Sequence, residues 1–396
     1  MTRPTSLRFA ASAPSGGPAP RSVVDATTRE LAKWLEAPDR GDRAAVAAWD
    51  RDRWTTFGRV VSMHGLAPHL ARLLPSSRLA PAVPADVMQS LREQAVLNRR
   101  RIDRMHAELE AILRAAATAG VEVMPLKGAL LSTMAGTDPG RRPMADLDLL
   151  GHPGDRTVLG RVLAGLGYRH TREANPRPTH DVFLDPGGDR VVSFDGEHPD
   201  NPRRVEVHVE VKRHLWGWVD DDDLTATLWT GATRGDVLGH PATIPRRAAL
   251  FAHLAIHASS DLLAGRGRLV QWLDLAELAA LAGDQSQIPH PRLAYPALRL
   301  ASRAFPDAMA VLDLDAVAAA APETLIRWAA TVPLDRRAGL TTGRLPSEPS
   351  AVGARWERWR PDRWRLAVAY GGAPLPLALA RHGRTVIART RDRSPN

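Results

Sequence analysis

The chain has 396 residues, 44% of them hydrophobic, enough for one large domain or two ordinary ones with a sizeable core. It has no cysteine, which excludes disulfide scaffolds, thiolate metal sites and cysteine nucleophiles. The formal net charge of +9 sits at one end: residues 336–396 hold 13 Arg against Glu348, Glu357, Asp362 and Asp392, so the remainder is close to neutral.

Residues 1–22 carry Pro, Gly, Ser and Ala and read as a disordered leader rather than a signal peptide. Residues 23–119 are expected to form an N-terminal helical region. Short helices over 25–75 bring Leu31, Trp34, Leu35, Trp49, Trp54, Phe57, Val60 and Val61 into one apolar cluster. A long helix is predicted over 86–119. There Leu91, Ala95, Asn98, Ile102, Met105, Leu109, Ile112 and Ala116 recur alternately four and three residues apart, on one face. Gly120 is placed to stop it.

The pattern changes between 120 and 215. Residues 121–126 read as a short strand ending at Lys127-Gly128, 129–134 as helix, 135–145 as a loop and 146–150 as a second strand. A helix is predicted at about 155–166. Val182–Leu184 and Val191–Phe194 flank Asp185-Pro186-Gly187-Gly188 and read as a hairpin. Val205–Val211 alternates strictly and is the best strand candidate. A C-terminal helical region over 216–335 is expected to hold helices at about 245–282 and 290–332. Residues 336–396 form a basic tail in which Arg355 to Arg360 and Arg363 to Arg365 interleave Trp with Arg. The tail suits RNA binding through charge and stacking, and equally a helix packing its Trp residues on the domain. No apolar run reaches membrane-spanning length, so no membrane partner is expected and the cytoplasm is the expected location.

Strand side chains alternate, so Asp146 and Asp148 leave one face while Leu147 and Leu149 enter the core. Two carboxylates this close repel, and a divalent cation removes the conflict; Mg²⁺ takes one or two carboxylates plus phosphate oxygens and waters. A solvated strand end would carry the same pair. On that argument, Asp148→Asn should leave metal-free stability unchanged or higher. Glu206, His208 and Glu210 share one face of the 205–211 strand, so Glu206 or Glu210 can complete a three-carboxylate site of the kind two-metal phosphoryl transfer uses. Only three lysines occur, Lys33, Lys127 and Lys212, so a Lys in a motif is informative. Lys127 and Gly128, between a strand and a helix, suit close approach of phosphate. Arg141 and Arg142 could clamp phosphate oxygens, or line a solvated loop. His253, His257 and Asp261 fall on one helical face, either a metal face or a polar stripe.

The run Leu126-Lys127-Gly128-Ala129, then Arg142-Pro143-Met144-Ala145-Asp146-Leu147-Asp148-Leu149-Leu150, then Val205-Glu206-Val207-His208, resembles the bacterial uncharacterised nucleotidyltransferase family of the polymerase-β superfamily. His64-Gly65-Leu66-Ala67-Pro68, Gly167-Tyr168 and Trp272-Leu273-Asp274 fit as well, and the resemblance covers roughly residues 25–285. It implies an α+β fold: a minimal nucleotidyltransferase core with a small mixed sheet, flanked by helical regions. It further implies Asp146, Asp148 and Glu206 as metal-binding and catalytic residues. Lys127 and Gly128 would face the triphosphate, with Arg142 beside them. The chain departs in carrying Lys-Gly where the superfamily has Gly-Ser, and in the seventeen residues between Gly128 and Asp146.

The expected activity is transfer of a nucleoside monophosphate from ATP or another NTP to an acceptor, with Mg²⁺ or Mn²⁺. The acceptor is a small molecule, a peptide or an RNA end. The alternatives are a nucleotide-binding or scaffold protein without turnover, and an RNA-binding module using the tail.

Overall fold

The computed structural model describes residues 20–134, 138–171, 180–187, 191–192, 198–211, 224–263, 265–279, 288–334, 366, 370 and 373–391. Among them, two compact units form: one from residues 26–211 and 228–246, the other from 20–25, 224–227 and the described part of 247–396.

The first unit begins with α1 (Arg21–Glu36) from residue 26 onward, followed by α2 (Arg43–Ala47), α3 (Arg51–His64) and α4 (Ala67–Leu73). The Asp50 side chain accepts from the Arg53 amide to start α3, and Gly65, at φ 70°, ends it in the left-handed conformation that glycine takes without a Cβ penalty. Trp34, Trp49, Trp54 and Phe57 pack ring against ring, with centroids 4.9–6.0 Å apart. Helix α5 (Ala85–Thr118) runs 34 residues, about 50 Å at 1.5 Å per residue. Its buried stripe holds Leu91, Asn98, Ile102, Met105, Leu109, Ile112 and Ala116, and also the charged Arg101.

The sheet contains β1 (Val123–Leu126), β2 (Asp146–Gly151), β3 (Arg169–Thr171), β4 (His180–Leu184) and β5 (Arg204–His208), in the order β1-β2-β5-β4-β3. Strands β2 and β5 are parallel and every other pair is antiparallel, so the sheet is mixed and the fold is α+β. Pro125 cannot donate to a ladder, which suits its place on the edge strand β1. Leu147, Leu149, Val205 and Val207 are buried on one face. Helix α6 (Lys127–Leu131) follows β1 directly, and α7 (Arg156–Gly165) follows β2. Leu159 of α7 reaches Gly151 so closely that a Cβ there would lie 2.5 Å from Leu159 Cδ1.

Three expectations change. The expected partner of Val182–Leu184 was Val191–Phe194; instead β4 pairs with β3 and β5, while Val191 and Val192 are exposed and outside any strand. Residues 193–194 of that expected arm lie outside the described residues. The alternating stretch 205–211 is a strand only as far as His208, although Val209 and Val211 are buried beyond it. An unforeseen hairpin, β6 (Thr233–Val237) and β7 (His240–Ile244), turns through Leu238 and Gly239 at φ 56° and 81°. Both central residues have positive φ, as in a type I′ turn, but Leu-Gly lacks the Asn-Gly signature that marks such turns in sequence.

The second unit is helical: α9 (Arg247–Leu263), α10 (Leu269–Ala279), α11 (Pro291–Ala304), α12 (Pro306–Met309), α13 (Leu314–Ala319), α14 (Glu323–Thr331) and α15 (Leu375–Arg391), with the short α8 (Leu224–Trp229) before them crossing between the units. Pro296 lies inside α11 and has no amide to donate. Ser259 of α9 bonds there, donating to the Ala294 carbonyl (3.3 Å) and accepting from the Ala297 amide (3.0 Å). The expected leader and the Arg/Trp run at 355–365 lie outside the described residues, apart from residues 20–22 at the start of α1.

Candidate active site

Register decides which side chains meet. In the parallel pair, Asp146 lies opposite Arg204, Asp148 opposite Glu206 and Leu150 opposite His208. Alternation then turns Asp146 and Asp148 of β2 and Glu206 and His208 of β5 to one face, away from Leu147, Leu149, Val205 and Val207. Leu126 lies opposite Asp148 on the other side, so the residue after it, Lys127, begins α6 beside that carboxylate.

Asp148 is buried, at 2% exposure, and its Oδ1 accepts from Lys127 Nζ at 2.6 Å and meets His208 Nε2 at 3.0 Å. His208 Nε2 also lies 3.5 Å from Glu206 Oε2. Burial alone would raise the Asp148 carboxyl, but the Lys127 ammonium and the His208 imidazole outweigh it and hold Asp148 well below the usual carboxylate range. The same contest gives Glu206 a lowered pKa: burial raises it, and the His208 hydrogen bond and the Lys127 charge prevail. Burial pushes His208 down, yet its contacts with Asp148 and Glu206 leave it raised above an ordinary histidine.

Lys127 adopts φ 46°, a left-handed conformation that costs a non-glycine residue energy and gathers at functional positions. At Gly128 a Cβ would lie 2.8 Å from an Arg142 guanidinium nitrogen and 2.9 Å from Met144 Sδ, so those side chains would have to shift to admit one. That close approach brings Arg142 to the turn that carries Lys127. Its guanidinium also donates to the Pro143 carbonyl at 3.1 Å.

A sequence profile described as uncharacterised nucleotidyltransferase matches residues 50–293. The chain belongs to that family. Among solved structures, it is similar to an antigenic nucleotidyltransferase-like protein from Paracoccidioides brasiliensis, at 14% identity and TM-score 0.35, over 54% of this chain and 93% of the other. It is also similar to the antibiotic-resistance factor ANT(2'')-Ia, at 16% identity and TM-score 0.27, over 46% of this chain and 91% of the other. A search of curated proteins finds no match.

For a nucleotidyltransferase, the question is whether the residues suit a divalent ion. The ligand atoms of Asp148, Glu206 and His208 all lie within 4.8 Å of one another, two carboxylates and one imidazole on one face. That donor set fits a divalent cation. Asp146, half-buried at the start of β2, stands outside this converging group. Glu210 lies past the end of β5 and is also outside it. In the second unit, Asp261 is held by Gln271 Nε2 at 2.8 Å, Arg266 at 3.3 Å and His257 Nε2 at 3.5 Å, and the described residues form no metal-competent group there.

Two contributors were given no site role by the sequence reading. His208 was placed on the Glu206 face by alternation but assigned no part in the site. Arg101 had only a faint signal, a charge in the apolar stripe of a long helix. It is 1% exposed and donates to five main-chain carbonyls: Met144 (2.9 Å), Ala145 (2.9 Å), His198 (3.2 Å), Asn201 (2.9 Å) and Pro202 (3.0 Å). These carbonyls belong to the two segments that lead into β2 and β5. Asn98, one turn earlier, donates to the Gly140 carbonyl at 2.7 Å. One face of α5 thus positions the entry to both strands that bear the acidic residues.

Proposed function

We propose that the chain transfers a nucleoside monophosphate from an NTP to an acceptor hydroxyl or phosphate, releasing pyrophosphate. The observation that carries this reading is the convergence of Asp148, Glu206 and His208 beside Lys127, in a chain of a nucleotidyltransferase family. An acceptor oxygen forms a bond to the α-phosphorus as the bond to the β-phosphate bridging oxygen breaks, and pyrophosphate carries away that electron pair. Asp148 and Glu206 hold a divalent ion, Mg²⁺ or Mn²⁺, with Asp146 as a third carboxylate at the more open end. A divalent ion bound there neutralises triphosphate charge and polarises the acceptor oxygen. Lys127 and Arg142 hold phosphate oxygens, Lys127 as a point charge and Arg142 through its planar fork. Gly128 keeps the intervening space clear. If Glu206 does not hold the ion, it accepts the acceptor's proton instead.

The test is to incubate the full chain with each of the four NTPs, with Mg²⁺ or Mn²⁺, and measure pyrophosphate release against candidate acceptors. Metal-dependent release that Asp146→Asn abolishes supports the reading. A second reading, nucleotide binding without turnover, is favoured by the position of Asp146 outside the converging group. In that case the metal·NTP binds, and no pyrophosphate appears with any acceptor.

A further inference from the structure

The carboxylates are the obvious ligands of such a centre, but the side chain that touches both is a histidine. His208 Nε2 lies 3.0 Å from Asp148 Oδ1 and 3.5 Å from Glu206 Oε2. Its side chain is 14% exposed, and its ring lies beside that of His180, with centroids 5.1 Å apart. We propose that His208 Nε2 is itself a ligand of the divalent ion, with Asp148 and Glu206, and that this nitrogen makes the centre prefer Mn²⁺ and other first-row transition ions to Mg²⁺. The proposal rests on the nucleotidyl-transfer reading above and deepens it.

Donor spacing supports it first. Two neighbouring ligands of an octahedral ion at roughly 2.1 Å stand about 3.0 Å apart. The separation from Nε2 to Asp148 Oδ1, 3.0 Å, equals that spacing, and the 3.5 Å to Glu206 Oε2 exceeds it by half an ångström. A single nitrogen, Nε2, faces both carboxylates, so one ion in front of it could meet all three donors. The backbone supports it second. Glu206 and His208 are two apart on one strand, and Asp148 is fixed opposite Glu206 by register, so all three donors ride on two adjacent strands rather than on loops. Their entry segments are held by Arg101.

Donor chemistry sets the selectivity. Mg²⁺ is hard and takes oxygen ligands and water, whereas an imidazole nitrogen adds affinity for first-row transition ions, least for Mn²⁺ and rising to Cu²⁺. A cation entering at Asp148 also meets Lys127, whose Nζ is 2.6 Å from the same Oδ1. Asp148 would then share its carboxylate between the ion and the Lys127 ammonium.

The experiment uses the full chain and Mn²⁺ alone as the probe. Pulsed electron paramagnetic resonance of the Mn²⁺-loaded wild type should show the ¹⁴N coupling of a directly bound imidazole. His208→Gln should lose that coupling, while His180→Gln should keep it. Calorimetry should show Mn²⁺ affinity reduced about tenfold or more in folded His208→Gln, with Mg²⁺ affinity changed far less, so that the preference collapses. Absence of ¹⁴N coupling in Mn²⁺-loaded wild type would overturn the assignment, whether or not the variant folds, and would leave the carboxylate site standing. Failure of the wild type to bind Mn²⁺ at all, with or without NTP, would remove both the assignment and the reading beneath it.

Discussion

Asp148 shows how a neighbour can reverse an argument from sequence. Two aspartates on one strand face suggest mutual repulsion, and hence a neutral or stabilising Asp148→Asn change in the metal-free protein. The structure gives Asp148 the Lys127 ammonium and the His208 imidazole as partners in a buried setting. Removing one member of a buried charge network leaves the others uncompensated, so Asp148→Asn should cost on the order of 3 kcal/mol of metal-free stability. Chemical denaturation of wild type and variant without metal measures it, and equal stabilities would return the simple repulsion argument to force. His69 on α4 supplies a pH test. Burial, then Arg141, Arg142 and Arg72, lower its pKa to about 3 from an ordinary 6.5, and among the described residues its Nε2 has no hydrogen-bond partner. Its folded pKa is depressed, so the unfolded chain binds the proton first. The stability is present above the unfolded pKa and is lost as pH falls from about 6.5 toward 3, on the order of 5 kcal/mol in all. Denaturation curves between pH 7 and 4.5 should therefore fall less steeply with acid for His69→Phe than for wild type.

At the scale of elements, the sequence was informative where a periodic pattern met one dominant force. The apolar stripe of α5 was legible to within one residue at each end, because burial alone selects it. The alternation at Val205–Val207 placed Glu206 on the face opposite the core for the same reason. What alternation does not contain is pairing. The register that sets Asp148 against Glu206, and the choice of β5 rather than Val191–Phe194 as the partner of β4, depend on contacts distant in the chain. Arg101 supplies several of these contacts, through carbonyls 43 to 101 residues away. Arg101→Met should cost at least about 3 kcal/mol, since it strands buried carbonyls that no aliphatic side chain can satisfy. Arg101→Lys, with three donors on one nitrogen, should recover part of that. Thermal melts of the two variants measure the difference, and equal melting of Arg101→Met and wild type would show that the strand entries hold themselves.

At the scale of the whole molecule, charge and chemistry lie in different parts of the chain. The net charge of +9 matches the balance of residues 336–396 alone, while the converging donors lie between 148 and 208. Among the described residues no helix is long and apolar enough to cross a membrane. Leu366, Ala378 and His382 are buried, so the tail contributes to the core of the second unit. Deleting residues 346–396 should lower the melting temperature yet preserve metal-dependent NTP binding below the new transition. Any RNA affinity should fall, and its salt dependence with it. The most direct test of the central claim is calorimetric titration of Mn²⁺·NTP into wild type and Glu206→Gln. Glutamine keeps the shape of Glu206 and removes the charge that a divalent ion needs. The account predicts binding by wild type that requires the metal and weakens about tenfold or more in the folded variant. Binding of equal strength in both proteins, or binding by wild type that ignores the metal, would contradict it.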